Sequence, residues 1–161
     1  MFEVCDDRDF SFEAALLSVR YYDRYVHFVD EPIARDDLQL AAVAALLLAS
    51  RFEDTCPVDA RDLEWLTDYA YSAAEIVDQE IRMLRVLDDR LMLATESSFL
   101  CDAACGVSGD AVVAMAVLRL ARRFVEKFHA LVSTATGPLP SEIARAAVEL
   151  ARELLVNTPR L

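Results

Sequence analysis

Glycine is nearly absent from this chain: three residues in 161, at Gly106, Gly109 and Gly137. Tight hairpins that need a positive φ are therefore scarce, which argues against a strand-rich fold. Long apolar runs are missing as well. The longest, around Leu40–Ala49, falls short of the roughly 20 residues that a membrane-spanning helix needs. The opening stretch, Met1-Phe2-Glu3-Val4-Cys5-Asp6-Asp7, lacks the basic region and apolar segment of a secretory signal, so an intracellular protein is expected. Basic charge is also in short supply. Lys and Arg number 16 against 28 Asp and Glu, leaving a net charge of −12. Such a surface repels phosphate backbones and excludes a general nucleic-acid binder. The four cysteines, Cys5, Cys56, Cys101 and Cys105, follow no disulfide framework, and a reducing compartment is the simpler reading.

What remains is abundant alanine, leucine, arginine and glutamate, and hydrophobic residues make up 55% of the chain. That mixture favours helices with ample core material. Periodicity predicts an all-α protein of six or seven helices. Phe12, Leu16, Val19, Tyr22 and Val26 recur at three- and four-residue spacing after Ser11 or Asp9, and Pro32 closes that region. Asp36 or Asp37 caps a second helix from about Leu38 to Arg51, apolar all round and so expected at the centre. A short helix is expected over about 60–69. Ser72-Ala73-Ala74-Glu75 is a capping box opening another, which carries Ile76, Glu80, Met83, Leu84 and Leu87 on one side and runs to Leu87 or Asp88. Thr95 starts the next, through Cys105. Asp110 caps a long helix to about Val132, 134–140 is a linker, and Ser141-Glu142 begins the last, with Ile143, Ala147, Leu150 and Leu154 inward and Asn157 and Pro159 ending it.

Sites for catalysis or metals are weakly represented. Adjacent carboxylates such as Asp6-Asp7, Asp36-Asp37 and Asp88-Asp89 point in different directions on a helix and read as caps or solvated faces. Cys101 and Cys105 could share a helix face, but two thiols make a poor zinc site with only His27 and His129 to help. Glu126-Lys127-Phe128-His129 is a single Glu-x-x-His, where helical di-iron sites need two copies and two more glutamates. Gly106-Val107-Ser108-Gly109 has the spacing of an RNA-binding loop without basic neighbours, and reads as a helix–helix turn. No phosphate-binding Gly-rich loop or nucleophile elbow occurs. No enzyme, cofactor or metal is expected.

Several motifs in the first half resemble a cyclin box in order and spacing. Tyr21-Tyr22-Asp23-Arg24-Tyr25-Val26 is similar to the family's aromatic–Asp–Arg–Phe-Leu signature. Leu38-Gln39-Leu40 and Leu47-Leu48-Ala49-Ser50-Arg51-Phe52-Glu53-Asp54 follow it, resembling the family's Leu-Gln-Leu and Ala-Ser-Lys-aromatic-Glu-Glu. Pro57, Leu66-Thr67-Asp68-Tyr69-Ala70-Tyr71-Ser72, Glu80 and Leu84-Arg85-Val86-Leu87 continue the match. From Thr95 the likeness thins, though Pro140-Ser141-Glu142-Ile143-Ala144 resembles a helix of the family's second repeat. Met1–Cys5 resembles the tail of the first cyclin-box helix, with a flavour of D-type cyclins.

The resemblance implies a cyclin-box helical bundle over residues 1–93, lacking most of its first helix, and a truncated second box over 94–161. It implies a non-catalytic subunit that binds and activates a cyclin-dependent protein kinase in the nucleus and cytoplasm and controls the cell cycle, with neither nucleic acid nor membrane as partner. Arg51, Glu80, Leu48, Phe52 and Leu84 would form the kinase-binding face, and Asp23 and Leu38 would be structural. Arg51 stands where the family usually has lysine, and Asp89 where it commonly has an aromatic residue. The first helix would carry the arginine partner of Asp23 and the patch that docks substrates. An adaptor or decoy that binds without activating is the alternative that the missing first helix raises. A general transcription factor on the same repeat would need basic faces.

Overall fold

The computed structural model describes residues 10–30, 32–35, 37–107, 110–132 and 137–157. Among them are seven helices and no strand: α1 (Phe12–Phe28), α2 (Asp37–Glu53), α3 (Ala60–Leu66), α4 (Ala73–Val86), α5 (Ser97–Cys105), α6 (Ala111–His129) and α7 (Pro140–Asn157). They divide into two compact units, 1–93 with α1–α4 and 94–161 with α5–α7.

Local chemistry sets most helix starts. The Ser11 hydroxyl accepts from the Ala14 N–H at 3.0 Å, Asp59 caps α3 through the Arg61 N–H, and Asp110 caps α6 through the Val112 N–H at 2.8 Å. At α4 the box is reciprocal: Ser72 Oγ accepts from the Glu75 N–H, and Glu75 accepts from the Ser72 N–H at 2.8 Å. Each cap satisfies an amide that the helix leaves without a partner. The Asp36 alternative, Asp9, Met1–Cys5, the Ser108-Gly109 half of the glycine loop, residues 134–136 of the linker and Pro159 lie outside the described residues.

In the first unit α2 is the hub. One side joins Leu17, Tyr21, Tyr25, Met83 and Leu87 through Ala41, Ala45, Leu48 and Ala49. The other joins Ala15, Ala60, Leu63 and Ile76 through Leu46 and Leu47. A helix feeding two clusters has no polar face to spare, which explains its unbroken apolar run. Its alanines let α1 and α4 approach closely. Two polar contacts close the unit: Tyr21 donates its hydroxyl hydrogen to the Leu91 carbonyl at 2.8 Å, and the Val58 N–H donates to Ser50 Oγ at 3.0 Å.

In the second unit each helix packs on the other two. Leu100 and Ala104 of α5, Val117, Ala121 and Val125 of α6, and Ile143, Ala144, Ala147, Val148 and Ala151 of α7 are buried. Glu96 and His129 also lie inside, their side chains wholly covered, with Glu96 Oε2 3.2 Å from His129 Nε2.

Two expectations are corrected. The third helix stops at Leu66 rather than near Tyr69, because Asp68 and Tyr69 turn left-handed (φ 54° and 58°). The Tyr69 N–H then reaches back to the Glu64 carbonyl at 2.9 Å, a Schellman-type closure made without glycine. In α7, Leu150 and Leu154 are exposed, not inward. The small residues Ala144, Ala147 and Ala151, with Val148, take the face against α5 and α6, since they permit the closer approach, and the leucines point away.

Candidate functional site

Arg51 lies in the last turn of α2 and Glu80 in the middle of α4. Both helices face the cluster built on Leu48, Met83 and Leu87, and that packing brings the two charges together. Arg51 Nη1 donates to Glu80 Oε2. The partners differ in exposure: 42% of the arginine side chain meets solvent and 5% of the glutamate. Burial pushes the Glu80 carboxyl above its ordinary range, and the Arg51 charge and hydrogen bond offset that only in part. A covered carboxylate has been placed beneath a half-open guanidinium. Because Arg51 remains wetted, the pair itself stabilises the fold by no more than about 1 kcal/mol.

The remaining residues singled out in the sequence take different positions. Phe52 is exposed beside Arg51, at 44%. Leu84 is half-buried against the same core cluster, and Leu48 is inside it. Phe52 and the edge of Leu84 therefore offer apolar surface around the pair, while Leu48 supports from beneath. Leu38 is half-buried early in α2. Asp23 is half-buried on α1, engaged with its surroundings, and its charge helps raise the Tyr22 phenol, after the larger effect of burial. Asp89, also left-handed at φ 54°, follows α4, its N–H donating to the Leu84 carbonyl at 3.2 Å.

Sequence reasoning missed Ile81, 41% exposed immediately after Glu80. The only signal was its place on the outer side of a helix whose inner stripe was already filled by Ile76, Glu80, Met83 and Leu87. It also missed Gln79, buried beside Glu80.

No group of three or more His, Cys, Asp or Glu side chains among the described residues could hold a metal ion. Cys101 and Cys105 are exposed free thiols, and His129 faces Glu96. No helix among the described residues is long and apolar enough to cross a membrane.

Comparison with known proteins adds sequence and fold. Residues 1–92 match the family "Cyclin, N-terminal domain". The chain is similar to G2/mitotic-specific cyclin-B1 of Carassius auratus, 37% identical over 76 residues that cover 47% of this chain and 19% of the relative. It is similar to Cyclin-A1-1 of Arabidopsis thaliana, 27% identical over 160 residues, 99% of this chain and 34% of the relative. The fold matches the crystal structure of a viral cyclin from herpesvirus saimiri with a TM-score of 0.79 at 20% identity, covering 97% of this chain and 67% of that one. The chain thus spans about a fifth to a third of the length of these two cellular relatives. They are B- and A-type cyclins, and this corrects the D-type flavour expected from Met1–Cys5.

Proposed function

The chain belongs to the cyclin family of non-catalytic regulatory proteins, and from that premise we propose that it binds and activates a cyclin-dependent protein kinase through the surface around Arg51 and Glu80, as a regulator of the cell cycle acting in the nucleus and cytoplasm. The observation that carries this reading is the meeting of the two charges of α2 and α4, with the exposed Phe52 and Ile81 next to them in sequence and Leu84 packed on the core cluster beneath. Arg51 keeps free donors on its exposed edge, and Glu80 keeps acceptor capacity behind it. Together they suit backbone groups at the start of a mobile kinase helix.

The chemistry then belongs to the kinase. Its mobile-helix glutamate must pair with the lysine that holds ATP. A cyclin surface that binds only the arrangement in which that pair forms shifts the kinase by its difference in affinity for the two states. Moving an equilibrium from mostly inactive to mostly active takes about 5.5 kcal/mol of such difference, within reach of an interface of about 1,600 Å². A rigid platform serves this role because α2, which carries Arg51, is anchored by two core clusters.

Glu80→Ala tests the reading. Truncating one member of a hydrogen-bonded charge pair at a buried interface weakens binding by about 2–5 kcal/mol. Titration against a cyclin-dependent kinase should show that loss with helicity intact, and unchanged affinity would remove the assignment. A kinase assay on the complex separates activation from the adaptor or decoy reading, which requires binding with no rise in activity.

A further inference from the structure

In the Arg51–Glu80 pair one charge is fixed and the other is not. An arginine carries its charge at every pH where proteins fold, whereas a carboxyl group has two states. Glu80 is also the covered member: 5% of its side chain meets solvent, against 42% for Arg51. With Glu80 ionised the pair is neutral. With Glu80 protonated the same spot holds one unbalanced positive charge.

Little else steadies that carboxylate. Helices α1, α2 and α3 all pack on α4. From α1 the rings of Tyr21 and Tyr25 reach the shared cluster, and from α3 it is Leu63. From α2 come Arg51 and, two residues on, Glu53, whose charge bears on Tyr21. On α4 itself Gln79 is buried beside Glu80, while Asp78 and Arg82 are exposed. Among the described residues Arg51 is the charge that bears on Glu80, through its field and its hydrogen bond, and burial outweighs both. The free chain thus makes Glu80 readier to take up a proton than an exposed glutamate.

We propose, on the reading of Arg51 and Glu80 as the kinase-binding pair, that this pair couples partner binding to a proton: the kinase engages the chain with Glu80 ionised, and protonation of Glu80 releases it. A partner laid over the pair removes the water that wets Arg51. A neutral, hydrogen-bonded pair withstands that loss far better than a guanidinium whose counter-charge has been cancelled. Protonation also weakens the acceptor offered to backbone N–H groups of the partner, because hydrogen bonds to an ionised carboxylate are the stronger kind. Both effects have the same sign. Affinity is constant while Glu80 is ionised in the free chain, and it falls as pH drops through the free-chain value. Burial has raised that value above 4.5, so the fall begins where ordinary surface glutamates are still ionised. A partner that set its own carboxylate on Arg51 would reverse the sign and bind more tightly once Glu80 is protonated.

Titration of the whole chain against a cyclin-dependent kinase from pH 8 to pH 5, with Glu80→Gln measured alongside, tests this. Glutamine keeps the shape and an acceptor oxygen but takes no proton, so titration of the kinase itself enters both curves and cancels in their ratio. The dissociation constant of the wild type should rise relative to that of the variant as pH falls, approaching about tenfold per pH unit, the limit for one proton. Circular dichroism at each pH checks that both chains stay folded. Calorimetry of the wild type in two buffers of different protonation enthalpy supplies a reading that needs no variant: a proton is released on binding at pH 5 and not at pH 8. A flat ratio with Glu80→Gln weaker than wild type throughout overturns the proton coupling and leaves the kinase-binding pair standing. A ratio that moves the other way overturns the coupling as well. Equal affinities at every pH, or no binding by either chain, remove the reading of the pair and this inference with it.

Discussion

Arg51 and Glu80, 29 residues apart in the chain, share one hydrogen bond in which the acceptor is covered and the donor half open. The inequality has a consequence for acid stability. Burial raises the Glu80 carboxyl above its ordinary value of 4.5, with Arg51 opposing. A group whose folded value is raised holds its proton more firmly when folded. Its contribution is complete below about 4.5 and is lost as pH climbs through the folded value. Thermal melts of the wild type and Glu80→Gln, compared from pH 4 to pH 8, should therefore show wild type losing ground to the variant as pH rises. Parallel curves would mean that Glu80 titrates alike in both states.

Tyr21 locks the end of the first unit. It is fully buried, and its hydroxyl is the donor to the Leu91 carbonyl 70 residues away. Tyr21→Phe removes the donor without opening a cavity and should cost about 1–2 kcal/mol in denaturant unfolding. Burial, helped by the Glu53 charge, also drives the phenol far above its ordinary value of 10.0. The stability tied to it is intact below pH 10 and falls as pH rises beyond, where only the unfolded chain gives up the proton. Tyr21→Phe should accordingly flatten the alkaline limb of the stability profile.

The left-handed turn after α3 should be improvable. Tyr69 sits at φ 58° with its side chain 68% exposed, so little packing offsets the steric penalty of a side chain there. Tyr69→Gly should raise stability by about 0.5–1 kcal/mol once the added freedom of the unfolded chain is counted. Tyr69→Ala, which keeps a Cβ, should bring no such gain. Equal effects from the two substitutions would show that the backbone geometry is not the cause.

Much of the local structure was legible because its causes are local. Ser72 and Glu75 announce a helix start from four residues of sequence, and the same pair forms the reciprocal cap. Asp110 and Ser11 act likewise. The apolar run of α2 foretold its central place, since a soluble helix without a polar side must be surrounded. The end of α3 was not legible, because Asp68 and Tyr69 carry no glycine to mark the left-handed turn.

By itself the sequence determined that this protein is helical, where most of its helices begin, and, through its ordered motifs, to which family it belongs. Only the tertiary structure decided which side of each helix is covered. Periodicity puts Ile143, Ala147, Leu150 and Leu154 on one stripe, yet two are buried and two are half exposed. The neighbouring helices choose the face by how closely they can approach, and alanine yields more closeness than leucine. The same holds for Arg51 and Glu80, whose meeting depends on α2 and α4 packing against one cluster, a relation between distant segments that no short pattern encodes.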